Sequence, residues 1–531
     1  MITKLGLYYR SLRYLKIKQV YYRVYYFTRT RFRAALNYKY DYDLSKSYKL
    51  VKLDDYPKFN NSYIGRGRFK FLNLEHQFDQ IDWDFAENGK LWTYNLNYFD
   101  FINQESSSVE SSKILMQQFV AQLPVLLNAN EPYPISLRII NWVKFLSNNS
   151  INNTKLSNSL YAQAKILEDK LEYHLLGNHL LENGFGLLFA SVFFQDVRFY
   201  KTAKKIISKE LDEQILNDGA HFELSPMYHQ IILLRMLDAY NLLKNNPFGD
   251  PNLIKLIAQK AELMLAWLSQ ISFNDGSIPM LNDSAYDITP GSNILFEYAA
   301  NLGLDHTYQI SLKESGYRKF KNEKIEMIID FGAIGPSYIP GHAHADTFNF
   351  VINYNDKPFI VDLGTSTYEA NELRLDERST KAHNTVEYNN TNSSEIWSSF
   401  RVGSRASITK LKAIENGWEA SHDGYSRQNC THQRSFIFKD RAIVVKDELS
   451  NKEISKSYLH FHPEVEIGMD DSGQINFSHG SISFESPNGA LVKEDISLKD
   501  YNFAQGFNRL RKSKAIEVVF KGELTTTISY N

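Results

Sequence analysis

Two histidines two residues apart stand in Gly341-His342-Ala343-His344-Ala345-Asp346. In an extended chain both imidazoles point to one face. Phe348, Phe350, Ile352 and Tyr354 then alternate, as in a strand. Asn355-Asp356-Lys357-Pro358 reads as a hairpin turn, and Phe359 to Leu363 as the return strand. Asp362 therefore comes back beside the strand that begins near His344. His383 follows in Ala382-His383-Asn384-Thr385-Val386. Imidazole and carboxylate both suit zinc, so two His and one Asp gathered by a hairpin form a zinc set. Each histidine alone reads more simply as a strand-surface residue; the grouping points to a site.

Four further clusters are polar where the surrounding period asks for helix. They are Pro132 to Trp142, with Tyr133 and Arg138; Gly177 to Gly184, with Asn178 and His179; Asp218 to His229, with Glu223 and Tyr228; and Asp275 to Ser284, with Asn282. All fall at helix starts or loop tips. Each has a structural reading as well: Asn178 and Ser225 as helix caps, Tyr228 as core. A glycoside hydrolase would need two carboxylates across a cleft, and Asp218, Glu223, Asp275 and Asp283 supply that alternative.

The elements that must position these groups follow from the hydrophobic period. With 531 residues the chain is too long for one simple core. Leu115, Phe119 and Leu123 share a helical face, as do Leu160, Ala164, Leu167, Leu171 and Leu175. Ala203, Ile206, Ile207, Leu211 and Ile215 form another stripe, and Tyr228 to Leu243 and Leu253 to Ile271 continue the series. Helix pairs repeated this often predict a helical toroid or solenoid. After about residue 324 the period shifts to two, through 325–331, 348–363, 406–411, 435–438 with 443–446, 458–462 and 516–520. Many short strands predict an antiparallel sandwich. The expectation is a multidomain α+β chain, with an extension and connector over 1–89, helices over 90–320 and sheets over 321–531.

Net charge is −1, which selects neither nucleic acid nor any polyanion by a global field. Cys430 is the single cysteine, which excludes an intramolecular disulfide and a thiolate zinc cluster. No apolar run reaches the ~20 residues of a membrane span, and Tyr, Arg and Lys break every apolar patch from Met1 to Arg33. The expected location is the cytoplasm, or the periplasm if a signal was removed. Residues 1–40 hold ten Lys or Arg and nine Tyr, with no acidic residue before Asp41. Such a stretch either lies on an anionic membrane surface, peripheral to the inner membrane, or packs on the body by its Tyr face with Arg and Lys solvated. The second reading is preferred.

Taken together with Gly341-His342-Ala343-His344, the four clusters resemble the heparinase II/III-like polysaccharide lyases, over roughly residues 90–450. That resemblance implies an N-terminal (α/α) toroid, a C-terminal antiparallel β-sandwich and an active site between them. It implies β-elimination at a uronic acid of an acidic polysaccharide. By the same resemblance Asn178 and His179 neutralise the substrate carboxylate, while Tyr228 and His342 transfer protons. His344, Asp362 and His383 hold one structural zinc, and Arg138 belongs to the subsite wall. Tyr133, Glu223 and Asn282 are expected to bind substrate. The chemistry fits these types, because a C5 proton acidifies only when its neighbouring carboxylate is neutralised. The chain also resembles a branch associated with bacterial surface-polysaccharide assembly, which points away from heparin, heparan or alginate. The alternative on the same fold is a glycan-binding or assembly protein without turnover.

Overall fold

The computed structural model describes residues 2–487, 489–490 and 493–531, and of residues 2–4, 489, 490 and 493 the backbone only. Two helices come first, α1 (Ile2–Leu12) and α2 (Ile17–Ala35). The stretch 41–89 is more than a connector. It forms a three-stranded antiparallel sheet of β1 (Tyr63–Gly65), β2 (Arg68–Phe71) and β3 (Leu74–Gln77). Alternation along β2 turns Phe69 and Phe71 inward, and with Phe78, Trp83 and Phe85 they join the same hydrophobic cluster as the helices.

The helical body runs through α3 (Lys90–Tyr98), α4 (Val109–Gln122), α5 (Pro132–Asn148), α6 (Thr154–Asp169), α7 (Gly177–Phe194), α8 (Val197–Gln214), α9 (Pro226–Asn245), α10 (Pro251–Ile271) and α11 (Ser292–Asn301). Most start where the sequence offers a cap. Ser108, Asn153, Asp196, Ser225 and Asp250 each accept a backbone N–H of the first turn. The stripe from Ala203 to Ile215 is buried as its spacing predicts. The stripe from Leu160 is cut short: α6 ends at Asp169, so Leu171 is buried from a turn and Leu175 is half-buried. The helices pack α5 on α7, α7 on α8 and α9 on α10. Gly186 permits the first contact, since a Cβ there would stand 2.9 Å from Ser136 Cα.

Strands take over at Tyr317. A four-stranded antiparallel sheet orders β4 (Tyr317–Lys321), β5 (Ile325–Asp330), β6 (Phe350–Tyr354) and β7 (Lys357–Ile360). Its hairpin turns on Asn355 and Asp356, both at positive φ (47° and 60°), so Lys357 and Pro358 already belong to the return strand. After α12 (Glu372–Glu377) come β8 (Val386–Tyr388), β9 (Ile396–Trp397) and β10 (Arg401–Val402). A large antiparallel sheet then pairs Ile408–Ile414, Gly417–His422, His432–Lys439, Ala442–Leu449, Glu523–Tyr530 and Gly480–Ser486 in that order. A second hydrophobic cluster, around Phe331, Phe350, Phe436 and Ile528, fills these sheets. All the expected strands are present, with one local correction. Residues 341–349 form turns rather than a strand, and Phe348 sits at φ 72°. Their backbone is held by other segments: the His342 carbonyl accepts Asp283 N, and Ala345 N donates to Arg378 O.

Candidate active site at the junction of helices and sheets

The entry to α7 places the first two residues. Leu176 and Gly177 both have positive φ (65° and 59°), a bend that costs Leu176 strain and that glycine accommodates. Asn178 follows, buried, donating from Nδ2 to Glu223 Oε2 at 3.1 Å; its own Oδ1 has no partner. His179 is one-third exposed by its side chain (33%), with Nδ1 3.1 Å from Glu172 Oε1 and its ring packed against Tyr133 at 4.8 Å. Burial lowers the His179 pKa, but the Glu172 carboxylate outweighs it and leaves the imidazole above its usual value. Asn183 Nδ2 donates to the other Glu172 oxygen at 3.0 Å, so that carboxylate is fully used.

Tyr228 comes from the first turn of α9, whose cap Ser225 accepts the Tyr228 N–H and donates to the Asp283 carbonyl at 2.9 Å. The Tyr228 ring stacks on His342 with centroids 3.9 Å apart, and its hydroxyl lies 3.2 Å from that of Tyr368. Burial, then Tyr368 and the charges of Asp283 and Glu223, hold the phenol well above its usual range, so it carries its proton at neutral pH. His342 turns Nδ1 to Asp283 Oδ2 at 2.9 Å. An ionised carboxylate only accepts, so Nδ1 bears the proton and a neutral ring keeps its Nε2 lone pair free.

Asp283 is the hub. Oδ1 takes His344 Nε2 at 2.8 Å, and the buried Arg374 guanidinium grips both oxygens, with Nη2 2.6 Å from Oδ2. Burial would raise this carboxyl; Arg374 and the two histidines override it and hold it well below the usual carboxylate range. Asp283 comes from the helical half, His342 and Arg374 from the sheet half. Phe400 closes one side, 5.9 Å from the His342 ring, and Arg374 Nε donates to Ser399 O at 3.1 Å.

The predicted residues sort as follows. Asn178, His179, Tyr133, Glu223, Tyr228 and His342 come together. Arg138 does not: it is fully buried and spends its donors on Gln163 Oε1 (2.6 Å), Asn97 O (3.0 Å) and Ala129 O (2.8 Å), which makes it a structural clamp and not a subsite wall. Asn282 is likewise buried, bonded to Leu224 O and to the His344 N–H, so it positions the histidine loop and leaves no atom for substrate. Of the four carboxylates offered for hydrolysis, Asp218 is spent on Ser315, Asp275 on Ser277 and Asp283 on Arg374. Glu223 alone keeps a buried oxygen, Oε1, without a partner. The sequence reading missed Glu172, Tyr368, Arg374 and Phe400. The Asn371 to Arg378 stretch is charged enough to read as a solvated turn; the one available signal was the i, i+4 pair Arg374 and Arg378 on a single face.

The expected metal set is partly gathered. His383 Nδ1 lies 2.7 Å from Asp362 Oδ2, and the His344 and His383 rings are 5.2 Å apart. His344 Nδ1 and His383 Nε2 are buried without hydrogen-bond partners, and so is Asp346 Oδ2. Among the described residues, no three such side chains converge closely enough to hold an ion as they stand. The donor types fit zinc, and an ion would satisfy the two orphaned imidazole nitrogens.

A "Heparinase II/III N-terminus" model matches residues 132–290, and a "Heparinase II/III-like, C-terminal" model matches 306–531. A heparin-sulfate lyase of Bacteroides stercoris is 24% identical over 384 residues, 64% of this chain and 55% of that protein. One of Pedobacter heparinus is 26% identical over 315 residues, 53% of this chain and 45% of that protein. The chain thus spans about half the length of the curated relatives it matches. The crystal structure of heparinase III aligns with a TM-score of 0.67 at 18% identity, covering 86% of this chain and 80% of that one, a likeness of fold. With the two models matched in order across the helical and the sheet halves, the chain belongs to the heparinase II/III-like family.

Proposed function

We propose that this protein is a polysaccharide lyase that cleaves a uronic-acid-containing polysaccharide by β-elimination. The observation that carries it is the Tyr228–His342 stack, with His342 oriented by Asp283 and the Asn178–His179 pair in the same site. In this reading the helical half is an (α/α) toroid over 90–320 and the sheet half a β-sandwich over 321–531. The substrate lies in the cleft between them.

The division of labour follows from the groups. His179, whose protonated form Glu172 favours, and the Asn178 amide meet the substrate carboxylate and stabilise charge at C6. His342 Nε2 takes the C5 proton, and the Asp283 carboxylate stabilises the resulting imidazolium. Tyr228, held protonated, donates to the departing C4 oxygen. Tyr133 lines the carboxylate end beside His179. His344, Asp362 and His383 would hold zinc, which supplies positive charge that fixes the loop carrying His342. We read the substrate as a bacterial capsule, O-antigen or exopolysaccharide.

The test incubates purified protein with a panel of acidic polysaccharides and follows ultraviolet absorbance from the unsaturated uronate product. New reducing ends without that absorbance would indicate hydrolysis; binding without cleavage would indicate an assembly or binding protein.

A further inference from the structure

The N-terminal helix pair is built inside out. In α2, Gln19, Tyr22, Arg23, Tyr26, Arg29 and Arg33 recur every three or four residues and face the body. Gln19 Nε2 donates to Leu175 O at 3.0 Å, Tyr26 to Leu171 O, Arg29 Nη1 to Asp169 O at 2.7 Å, and Arg33 pairs with Asp169. The Tyr22 ring packs on Tyr173 at 4.7 Å. Contrary to the expected solvated Arg and Lys, much of the positive charge therefore points inward.

The opposite face is apolar and bare. Ile17, Val20, Tyr21, Val24 and Phe32 follow helical spacing along it, with 89%, 48%, 62%, 59% and 66% of their surface exposed. α1 adds Leu5, Tyr9 and Leu12, while its other face is fixed to the sheet half by Arg10 on Glu395 and by the Trp397 indole donating to Ser11 Oγ at 3.0 Å. A solvated helix has the reverse polarity. An exposed apolar face of this kind on α2 marks an interaction surface.

The flanking chemistry selects the occupant. Arg31 of α2 is exposed, as are Arg13 before it and Lys39 after it in sequence, and no acidic residue precedes Asp41. Tyr8, Tyr9, Tyr21, Tyr25 and Tyr38 are also exposed, and such rings favour the bilayer–water interface. A hydrated polyanion would match the charge but leave the apolar stripe wet. We propose that α1 and α2 form a docking surface for an anionic lipid bilayer, lying in its interface without crossing it. In keeping with that, among the described residues no helix is long and apolar enough to span a membrane.

The test is co-sedimentation of the full chain with phosphatidylcholine vesicles, with and without phosphatidylglycerol, at low and high salt. Binding is expected to need the anionic lipid and to weaken with salt. Val20→Glu/Val24→Glu/Phe32→Glu changes only exposed side chains and should cut binding on the order of ten-fold or more, with the melting temperature kept. If that variant misfolds, Arg13→Gln/Arg31→Gln should weaken anionic binding alone. Wild-type protein left in the supernatant at low salt would overturn the proposal. So would a folded triple variant that binds as wild type, or a lipid-free wild-type dimer that the triple variant dissolves.

Discussion

His342 is held between two partners, with Nδ1 2.9 Å from Asp283 Oδ2 and its ring stacked on Tyr228 at 3.9 Å. Asp283 and Tyr228 belong to the helical half and His342 to the sheet half. The Tyr228–His342 stack, the proton-transfer pair we propose, therefore exists only where the two halves meet, and Arg374, gripping Asp283 from the sheet side, fixes that junction.

Tyr228→Phe removes one hydroxyl and almost no volume. We predict that it folds normally and loses on the order of 10²–10⁴-fold in kcat on a confirmed substrate, the usual worth of a positioned acid. Wild-type turnover in a folded Tyr228→Phe protein would reduce Tyr228 to a packing residue.

Asp283→Asn leaves the buried Arg374 guanidinium without its carboxylate. Breaking one side of a buried pair costs about 3–5 kcal/mol, and urea unfolding should register a loss of that order. Asp283→Asn/Arg374→Met, which removes the stranded charge, should recover much of it. A single variant as stable as wild type would mean that the pair does not secure the junction.

The His179–Glu172 pair sets a pH window. The folded His179 pKa is raised above the ordinary 6.5, so its contribution is complete below 6.5 and fades as pH rises through the folded value. The folded Glu172 pKa lies below 4.5, because its partner His179 together with Asn183 overcomes burial; its contribution is present above 4.5 and fades as pH falls through the folded value. The melting-temperature gap between wild type and His179→Gln should thus be widest between about pH 4.5 and 6.5 and narrow toward alkaline pH. A gap constant with pH would contradict the pairing.

For the metal, we predict one zinc per chain by elemental analysis, and a lower melting temperature after chelation. His383→Ala should lose both the ion and the chelator's effect. Protein free of zinc, with melting unchanged by chelation, would remove the ion from this account.

Local pattern carried much of this molecule. The Ala203 to Ile215 stripe records which side of one helix is buried, and the alternation through β6 reads directly as a strand, although that strand is buried on both faces. The order of the polar clusters pointed to the family, and the structure brings Asn178, His179, Tyr228 and His342 together. Tertiary structure alone decided what the charges do. Arg138 looked like a substrate contact and Arg374 drew no reading, yet both are buried, and only Arg374 reaches the site. Pairing Asp283 with His342, or Arg33 with Asp169, joins elements far apart in sequence, and periodicity holds no record of which elements meet. The composition of residues 1–40 announced a basic aromatic helix. Which face it turns outward depended on where Asp169, Glu213 and Glu395 stand on the body, because half-buried arginine and lysine go where carboxylates receive them.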